Sequence, residues 1–366
     1  MKVTISKEDL LKGLQIVQNA VSSRVSLPIL SNILVETQGD DLQLTATDLD
    51  IAISSLVPCE VHEKGDITIP AKKFFEVVRE MWSDQPIEIT AKSHNNIQIK
   101  SADCFFKLAG LPTQDFPHIP KFQDGRTITV AQNLLKLMLR CTSFAVSRDE
   151  SRYVLNGVLF SFTNKSLRLV ATDGRRLALI EKKLGRDIEE LRSMIVPIKA
   201  VQEINRNLGE EGDVEIILKE NQLQFKINET VITTRLIEGE FPNYEQVIPQ
   251  KIKEEVRLDT QKLLSAARRA SIFTSQESQS IRLDFSKNRL VISKNTPEIG
   301  EAREEIATRH QGGEITIGFN PHYLIDALKN IDEEEVLFGL IDPEKPGVIK
   351  ANDDYTYIIL PMQLTS

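Results

Sequence analysis

The chain has few of the residues that cross-link, bind metals or stack on bases. Its 366 residues contain three cysteines, five histidines and one tryptophan. Cys59, Cys104 and Cys141 are odd in number and far apart, so they predict neither a disulfide framework nor a zinc site. We therefore expect reduced cysteines, no bound metal and no cofactor, as in a cytoplasmic protein.

Long apolar runs are missing as well. Residues 1–9 alternate in polarity and then become charged, which is not the pattern of a secretory signal. No segment has the length and apolar character of a membrane span. These absences argue against an array of extracellular adhesive domains, and they predict no membrane partner.

The usual motifs of catalysis are also missing. The sequence contains neither a phosphate-binding P-loop nor a GxGxxG motif, its histidines are scattered, and no cluster of nucleophile and base recurs. We therefore predict a non-catalytic protein with no catalytic residue. A metal-dependent enzyme that uses Asp48, Asp50 and Asp173 is the first alternative hypothesis.

What the sequence does contain is an internal repeat. The stretch LRLVATDGRRLALIE at 167–181 echoes LQLTATDLDIAISSL at 42–56, and both predict a strand, a turn and a second strand. Periodicity predicts that each repeat begins with a first helix, within 9–24, 133–148 and 262–276. A second helix follows within 67–81, 194–208 and 315–331. Each repeat then closes with strands, within 97–117, 223–244 and 347–364. The repeats predict three domains, at 1–125, 126–250 and 251–366.

Turn signals between the strands indicate the fold class. Hairpin sequences occur at 38–42, 163–167 and 286–290, and Asp173-Gly174 separates two alternating runs. Short hairpins join antiparallel strands. We therefore predict an α+β fold in which each of the three domains packs two helices on antiparallel sheets.

Charge is distributed unevenly along the chain. The net charge is −8, yet lysine and arginine outnumber aspartate and glutamate by 15 to 6 in the six helical segments 7–24, 71–81, 132–148, 198–207, 261–274 and 320–331. Basic helices and acidic strands and loops suit an anionic polymer that touches only the helical face. Aromatic residues are almost absent from the polar faces of these helices, so we expect contacts to backbone phosphates rather than base stacking. A DNA-binding protein that reads base sequence is the second alternative, although no recognition-helix motif is found.

A series of phrases, spread in order over the three repeats, carries a family resemblance. They are LPIL (27–30), TATDLD (45–50), IPAKKFF (69–75), LAGLPTQDFP (108–117), RYVLNGVLF (152–160), ATDGRRLAL (171–179), GEFPNYEQVIP (239–249) and ILPMQL (359–364). In these phrases the chain resembles, from end to end, the bacterial DNA polymerase III beta subunits, which are sliding clamps. The resemblance implies a processivity factor of DNA replication, in which two three-domain subunits close head to tail into a six-domain homodimeric ring around duplex DNA.

The resemblance also implies which cations face the DNA. The candidates are Arg24, Lys72, Lys73, Arg148, Arg152 and Lys199. Contacts to phosphates carry no sequence information and weaken with salt, so such a lining permits sliding.

In this family a groove shared by the second and third domains binds short peptides of partner proteins. The implied partners are the replicative DNA polymerase alpha subunit, the clamp-loader complex, and other DNA polymerases and repair proteins that carry clamp-binding peptides. We call the matching positions the partner-peptide groove: Leu155, Thr172, Gly174, Arg175, Arg176, Leu177, Pro242, Val247, Asn320, Tyr323, Ile358, Ile359, Pro361 and Met362. The first repeat has no equivalent of Gly174-Arg175-Arg176 at the matching turn, so we expect no partner to dock there. Arg175 and Gln246 stand where the family often has histidine and arginine, which predicts a different peptide preference.

The resemblance further implies a contact between the first domain of one subunit and the third domain of the other. The candidate interface residues are Lys73, Phe106, Leu108, Ile272, Phe273, Glu301 and Glu304. Asp103 and Phe105 stand where relatives commonly place arginines, which predicts a more apolar interface. Ile272 and Phe273 could instead be ordinary core residues of one helix.

Overall fold

The computed structural model describes residues 1–22, 27–92, 95–120, 122, 126–185, 192–297 and 299–364. The contacts of the chain divide it into two compact units. The first unit contains Met1–Leu135 and Gln202–Leu236, and the second contains Lys136–Val201 and Ile237–Ser366. Across the described residues, no helix has both the length and the apolar character to span a membrane.

Six α-helices are found in the described part of the chain, two in each repeat. They are α1 (Lys7–Val17), α2 (Ala71–Arg79), α3 (Gln132–Thr142), α4 (Ile198–Asn207), α5 (Thr260–Ser271) and α6 (Pro321–Leu328). Their polar residues explain where they start. Ser6 caps α1 by accepting a hydrogen bond from the Asp9 N–H group, and Asp259 caps α5 in the same way from Lys262.

The first helix of each repeat is shorter than its sequence pattern predicts. The pattern at 133–148 continues after α3, but Thr142 has φ −124° and its hydroxyl donates back to the Met138 carbonyl at 2.8 Å. Such a bond from a threonine hydroxyl to the carbonyl four residues earlier slightly destabilises a helix and often bends it. Apolar spacing therefore continues through a short 3-10 turn that the α-helix itself does not reach.

The strands of the described residues, in chain order, are β1 (Lys2–Ile5), β2 (Asn32–Gln38), β3 (Asp41–Thr47), β4 (Ile51–Pro58), β5 (Glu60–Glu63), β6 (Asp66–Pro70), β7 (Ile87–Lys92), β8 (Asn96–Ser101), β9 (Cys104–Ala109), β10 (Arg126–Ala131), β11 (Gly157–Phe162), β12 (Ser166–Thr172), β13 (Arg176–Lys183), β14 (Arg192–Pro197), β15 (Asp213–Lys219), β16 (Gln222–Ile227), β17 (Thr230–Arg235), β18 (Glu254–Asp259), β19 (Ile281–Ser286), β20 (Arg289–Thr296), β21 (Gly300–Ala307), β22 (Ile315–Phe319), β23 (Glu335–Leu340), β24 (Gly347–Ala351) and β25 (Tyr355–Ile359).

The first unit contains two of the sheets. One has the order β5-β1-β7-β8-β9, and the other has the order β10-β15-β16-β17-β4-β3-β2-β6. Within this unit α1 packs on β4 and against α2. The buried face of α2 consists of Ala71, Phe74 and Val78, which leaves Lys72 and Lys73 exposed. Helical spacing thus separates the core side of α2 from its basic side.

The second unit also contains two sheets. Their orders are β14-β11-β12-β13-β25-β24-β23-β18 and β21-β20-β19-β22. The helix α5 packs against α6 and on β20 and β21. In the larger sheet β13 of the second repeat lies beside β25 of the third, which brings the two repeats together.

The predicted fold class is confirmed. The strand pairs in the described residues are antiparallel, and the predicted hairpins join β2 to β3, β11 to β12, and β19 to β20. Gly39 and Asn288 take the positive φ angles, 65° and 62°, that their turns need. Pro70 and Pro197 end strands directly before α2 and α4, and Pro321 is the first residue of α6.

Candidate functional site

The turn between β12 and β13 is held by its own side chains. The hydroxyl of Thr172 donates to the Arg176 carbonyl at 2.6 Å and accepts from the Gly174 N–H group at 3.1 Å. One carboxylate oxygen of Asp173 accepts from the backbone N–H groups of Arg175 and Arg176 at 2.9 and 3.1 Å. Gly174 has φ +86°, a conformation that glycine adopts without strain.

The side chain of Arg176 links this turn to the rest of the second unit. It is only 10% exposed, and its Nε donates to the other carboxylate oxygen of Asp173 at 3.0 Å. Nη1 donates to Asp326 on α6 at 2.8 Å, and Nη2 donates to the Phe144 carbonyl at 2.8 Å. The guanidinium also lies 4.5 Å from the ring centroid of Tyr323. Arg176 is therefore a positioning residue, with each guanidinium nitrogen bonded inside the protein.

Charge interactions stabilise this network. Burial of the Arg176 guanidinium opposes its charge, but the carboxylates of Asp326 and Asp173 outweigh this effect and raise its pKa. Burial likewise opposes ionisation of Asp326, but hydrogen bonds from Lys329 and Arg176 outweigh it and lower the carboxyl pKa. Burial raises the pKa of the Tyr357 phenol, which stays protonated and donates to the Tyr323 carbonyl at 2.9 Å.

The C-terminal segment lies beside this turn. Arg176 and Leu177 pair with Ile359 and Ile358 in neighbouring strands. Beyond β25, the Leu360 N–H group donates to the Arg175 carbonyl at 3.0 Å. Two residues later the Met362 N–H group donates to the Gly318 carbonyl at 2.8 Å. The segment is thereby fixed against both the turn and β22.

An apolar floor lies under this part of the sheet. Its buried residues are Leu159, Val170, Leu177, Ile195 and Ile358, and partly exposed residues packed on them are Val154, Leu179, Ile237, Phe241, Tyr244 and Ile248. Val247, which precedes Ile248 in the chain, is 49% exposed. Partly exposed apolar side chains around a buried floor form a surface that suits aliphatic or aromatic anchors of a peptide.

The predicted groove residues all belong to the second unit, but they differ in exposure. Leu155, Thr172, Leu177, Ile358 and Ile359 are buried; Arg176, Asn320, Tyr323, Pro361 and Met362 are partly exposed; Gly174, Arg175, Pro242 and Val247 are exposed. Sequence reasoning missed Phe144 and Asp326, which hold Arg176, and the aromatic pair Phe241 and Tyr244. The aromatic pair lies in the phrase GEFPNYEQVIP, whereas no local pattern marks Phe144 or Asp326.

The candidate DNA-facing cations are exposed wherever they are described. Lys72 and Lys73 lie on α2 of the first unit, where Lys73 forms an ion pair with Glu76 at 2.8 Å. Arg148, Arg152 and Lys199 are exposed in the second unit. Arg24 lies outside the described residues.

The position of Arg152 connects it to the groove turn. Its Nη1 donates to the Asp173 carbonyl at 3.4 Å. A β-carbon at Gly174 would lie 3.0 Å from the same nitrogen. Arg152 is therefore a neighbour of the partner-peptide groove as well as a candidate phosphate contact.

The candidate interface residues lie on α2 (Lys73), on strands β9 and β21, and directly after α5. These two strands are edges of their sheets, and an unpaired edge can accept another strand. Ile272 is 70% exposed, so it is not a core residue. Phe106, Leu108 and Phe273 are partly exposed, and Glu301 is exposed. Glu304 accepts two hydrogen bonds from Arg269 of the same chain, at 2.8 and 2.6 Å.

The acidic residues proposed as metal ligands mainly hold turns. Asp48 and Asp173 each accept backbone N–H groups of their own turn. In the described ranges no group of three or more histidine, cysteine, aspartate or glutamate residues is arranged to hold a metal. The geometry therefore gives the carboxylates of Asp48 and Asp173 a structural role.

Comparison with known proteins gives the same family along the whole chain. Models of the N-terminal, central and C-terminal domains of the DNA polymerase III beta subunit match residues 1–120, 129–243 and 245–363. A beta sliding clamp of Chlamydia muridarum is 35% identical over 364 residues, which cover 100% of this chain and 99% of that relative.

Solved structures agree in fold. A sliding clamp (DNA polymerase III subunit beta) of Pseudomonas aeruginosa, in a crystal structure bound to griselimycin, is 36% identical with a TM-score of 0.95. The sliding clamp of Bacillus subtilis is 31% identical, also with a TM-score of 0.95. In both comparisons 100% of each chain is covered.

By fold, the molecule is a DNA clamp built from repeated α+β domains. The chain belongs to the DNA polymerase III beta subunit family, the beta sliding clamps. The family predicted from the sequence is thus confirmed. Its function is that of a DNA sliding clamp, a non-catalytic processivity factor whose partners are DNA and a polymerase, and this excludes both the metal-dependent enzyme and the reader of base sequence.

Proposed function

We propose that the partner-peptide groove is where other proteins attach to this clamp. The observation that supports it most is the partly uncovered apolar floor around Leu177 and Ile358, next to a turn that Arg176 makes rigid. A rigid apolar surface binds a peptide with little ordering cost on the protein side. The proposed ligands are short peptides of the polymerase alpha subunit, the clamp-loader complex, and other DNA polymerases and repair proteins.

The C-terminal segment offers a direct test of this groove. Deletion of residues 360–366 removes Pro361 and Met362 and the hydrogen bonds to Arg175 and Gly318. We expect the deletion to abolish binding of the polymerase alpha subunit, measured by surface plasmon resonance, and to leave the dimer intact in sedimentation. Met362→Ala is a milder variant for which we expect weakened binding. Unchanged polymerase affinity in both variants would refute the assignment.

We also propose a homodimeric ring around duplex DNA. Two chains, each with domains at 1–125, 126–250 and 251–366, would join through β9 of one and β21 of the other. Their edge positions and the exposed Ile272 support this contact. The site of action that we propose is the cytoplasm.

In this proposal the cations named above touch phosphates without reading sequence. The exposure of Lys72, Arg148 and Lys199 supports the assignment, as does the basic composition of the helices. Retention on nicked circular DNA, compared with the same DNA linearised, tests encirclement in the presence of the clamp loader. We expect the clamp to stay on the circle and to slide off the free ends, whereas equal retention on both contradicts the ring.

A further inference from the structure

The first repeat contains a second copy of the groove turn. In Thr47–Ile51, as in Thr172–Arg176, the threonine hydroxyl accepts from the N–H group two residues on and donates to the carbonyl four residues on. The aspartate carboxylate accepts from the N–H groups two and three residues on in both turns. Leu49 has φ +82°, close to the +86° of Gly174. The two turns therefore have the same backbone.

The strand next to each turn is also equivalent. Ala52 lies opposite Thr233 in the pairing of β4 with β17. Leu177 lies opposite Ile358 in the pairing of β13 with β25. The first unit thus reproduces, residue by residue, the frame in which the partner-peptide groove is built.

A cleft occupies this place in the first unit. It has two parts, of about 660 and 220 Å³, and the segment 117–120 lines both of them. The larger part lies over the outer face of β2, β3, β4 and β17, and the smaller part lies beside Leu49 and Ile51. We call the two parts together the first-repeat groove.

Side-chain size explains the open space. Thr45, Ser54, Ala52 and Thr233 of the first unit occupy the positions of Val170, Leu179, Leu177 and Ile358 in the second. Each replacement is smaller or more polar. The floor of the first-repeat groove therefore offers hydroxyl and amide groups. Two of the hydroxyls, those of Thr45 and Ser54, lie 3.0 Å apart. Phe116 and Ile119 form the apolar wall of the groove.

The charges around the groove indicate the sign of its ligand. Among the described residues that line it, three carry carboxylates, Glu36, Glu229 and Asp50, and one is an arginine, Arg235, while His118 lines both parts. Three carboxylates around a cleft attract a cationic segment. Acidic peptides are disfavoured by the same field.

We propose that the first-repeat groove binds an extended, net basic peptide segment of a protein that works with the clamp, as a docking site separate from the partner-peptide groove. This inference rests on the proposed function, because it takes the second-unit groove as the template of a peptide site. It revises the expectation that no partner docks at the first-repeat turn. The ligand differs in kind, since hydroxyl groups and carboxylates replace the aliphatic floor and Arg175.

The test uses fluorescein-labelled 12-residue peptides that tile the polymerase alpha subunit and the clamp-loader subunits. Their affinities for the full-length clamp are measured by fluorescence anisotropy. We expect a set of net basic peptides to bind, and the double variant S54L/T233I, which fills the groove with the side chains of the second unit, to weaken them at least tenfold. Met362→Ala should leave these peptides unaffected and weaken only those bound in the partner-peptide groove.

A second variant protects the test against misfolding. Glu36→Lys with Glu229→Lys reverses charge at two partly or fully exposed positions and should weaken the basic peptides at least tenfold, more strongly at low salt. The proposal is overturned if no peptide responds to either double variant at concentrations up to roughly 1 mM, or if the bound peptides are net acidic. If Met362→Ala weakened the binding of every peptide, the peptides would bind in the partner-peptide groove, and this result would also overturn the proposal. Failure of the partner-peptide groove itself would appear separately, as a peptide set in which Met362→Ala weakens the binding of no peptide.

Discussion

The Nη1 atom of Arg176 donates to the Oδ2 atom of Asp326 at 2.8 Å, joining a strand of the second repeat to a helix of the third. The pair is strengthened by Asp173 and by the ring of Tyr323, so the guanidinium is fixed on several sides. The groove therefore has a rigid side whose geometry depends on one arginine. Arg175, its neighbour in sequence, is exposed and gives a matched comparison.

Arg176→Met should lower the free energy of unfolding by about 2 to 3 kcal/mol, because two partly buried carboxylates and the Phe144 carbonyl each lose a charged donor. Urea denaturation measures this change. Arg175→Met is the control and should shift the free energy by less than about 0.5 kcal/mol. Equal effects of the two variants would show that the network does not stabilise the unit.

The stability of the second unit should fall at acidic pH partly through Asp326. Its hydrogen bonds hold the carboxyl pKa below the ordinary value in the folded state. The stabilising contribution is therefore complete above the unfolded pKa, roughly pH 4, and is lost as the pH falls through the folded value. Urea midpoints measured from pH 7 down to pH 3 should fall less steeply for Asp326→Asn than for the unchanged protein. Parallel curves would contradict this role.

Gly174→Ala should cost about 1 kcal/mol of stability. Its φ of +86° disfavours a β-carbon, and that carbon would lie 3.0 Å from Nη1 of Arg152. Leu49→Ala at the equivalent turn is the control, because Leu49 already carries a β-carbon at φ +82° and is 45% exposed. We expect the control to change the unfolding free energy by less than about 0.5 kcal/mol. Both values come from urea denaturation.

Ile272→Arg should weaken the dimer, because the exposed isoleucine at the end of α5 would present a charge to an apolar contact. We expect the dissociation constant to rise at least about tenfold. Sedimentation across a range of protein concentrations measures it. Val247→Arg, another exposed apolar position, should leave the dimer unchanged and weaken polymerase binding. A dimer equally sensitive to both substitutions would contradict the assigned interface.

Much of the fold could be read from local patterns. Alternating residues with aspartate, asparagine or glycine between them predicted the hairpins, and those at 38–42, 163–167 and 286–290 are found. Helix ends were predicted less well, because apolar spacing continues past Thr142 where the backbone leaves the helix. The backbone of Thr142, with φ −124°, ends the helix, and hydrophobic periodicity does not contain that change.

The site was predicted only through the family resemblance. The spacing of Thr172, Asp173 and Gly174 indicates a turn but not a ligand. Arg176 is not simply a cation at the rim of the groove. Its guanidinium nitrogens donate hydrogen bonds to Asp173, Asp326 and Phe144. Those partners are close only after β13 and α6 have packed in the same unit.

The sequence by itself determined the repeats, the α+β class and the family. Strand alternation, turn residues and repeated phrases are local patterns, so they can be recognised without knowing which distant residues are in contact. Only the tertiary structure decided that Arg176 meets Asp326 across 150 residues, and that small polar side chains on facing strands leave a groove in the first unit. Both depend on the register between distant strands and helices. That register is set by the packing of the whole unit, which no local pattern specifies.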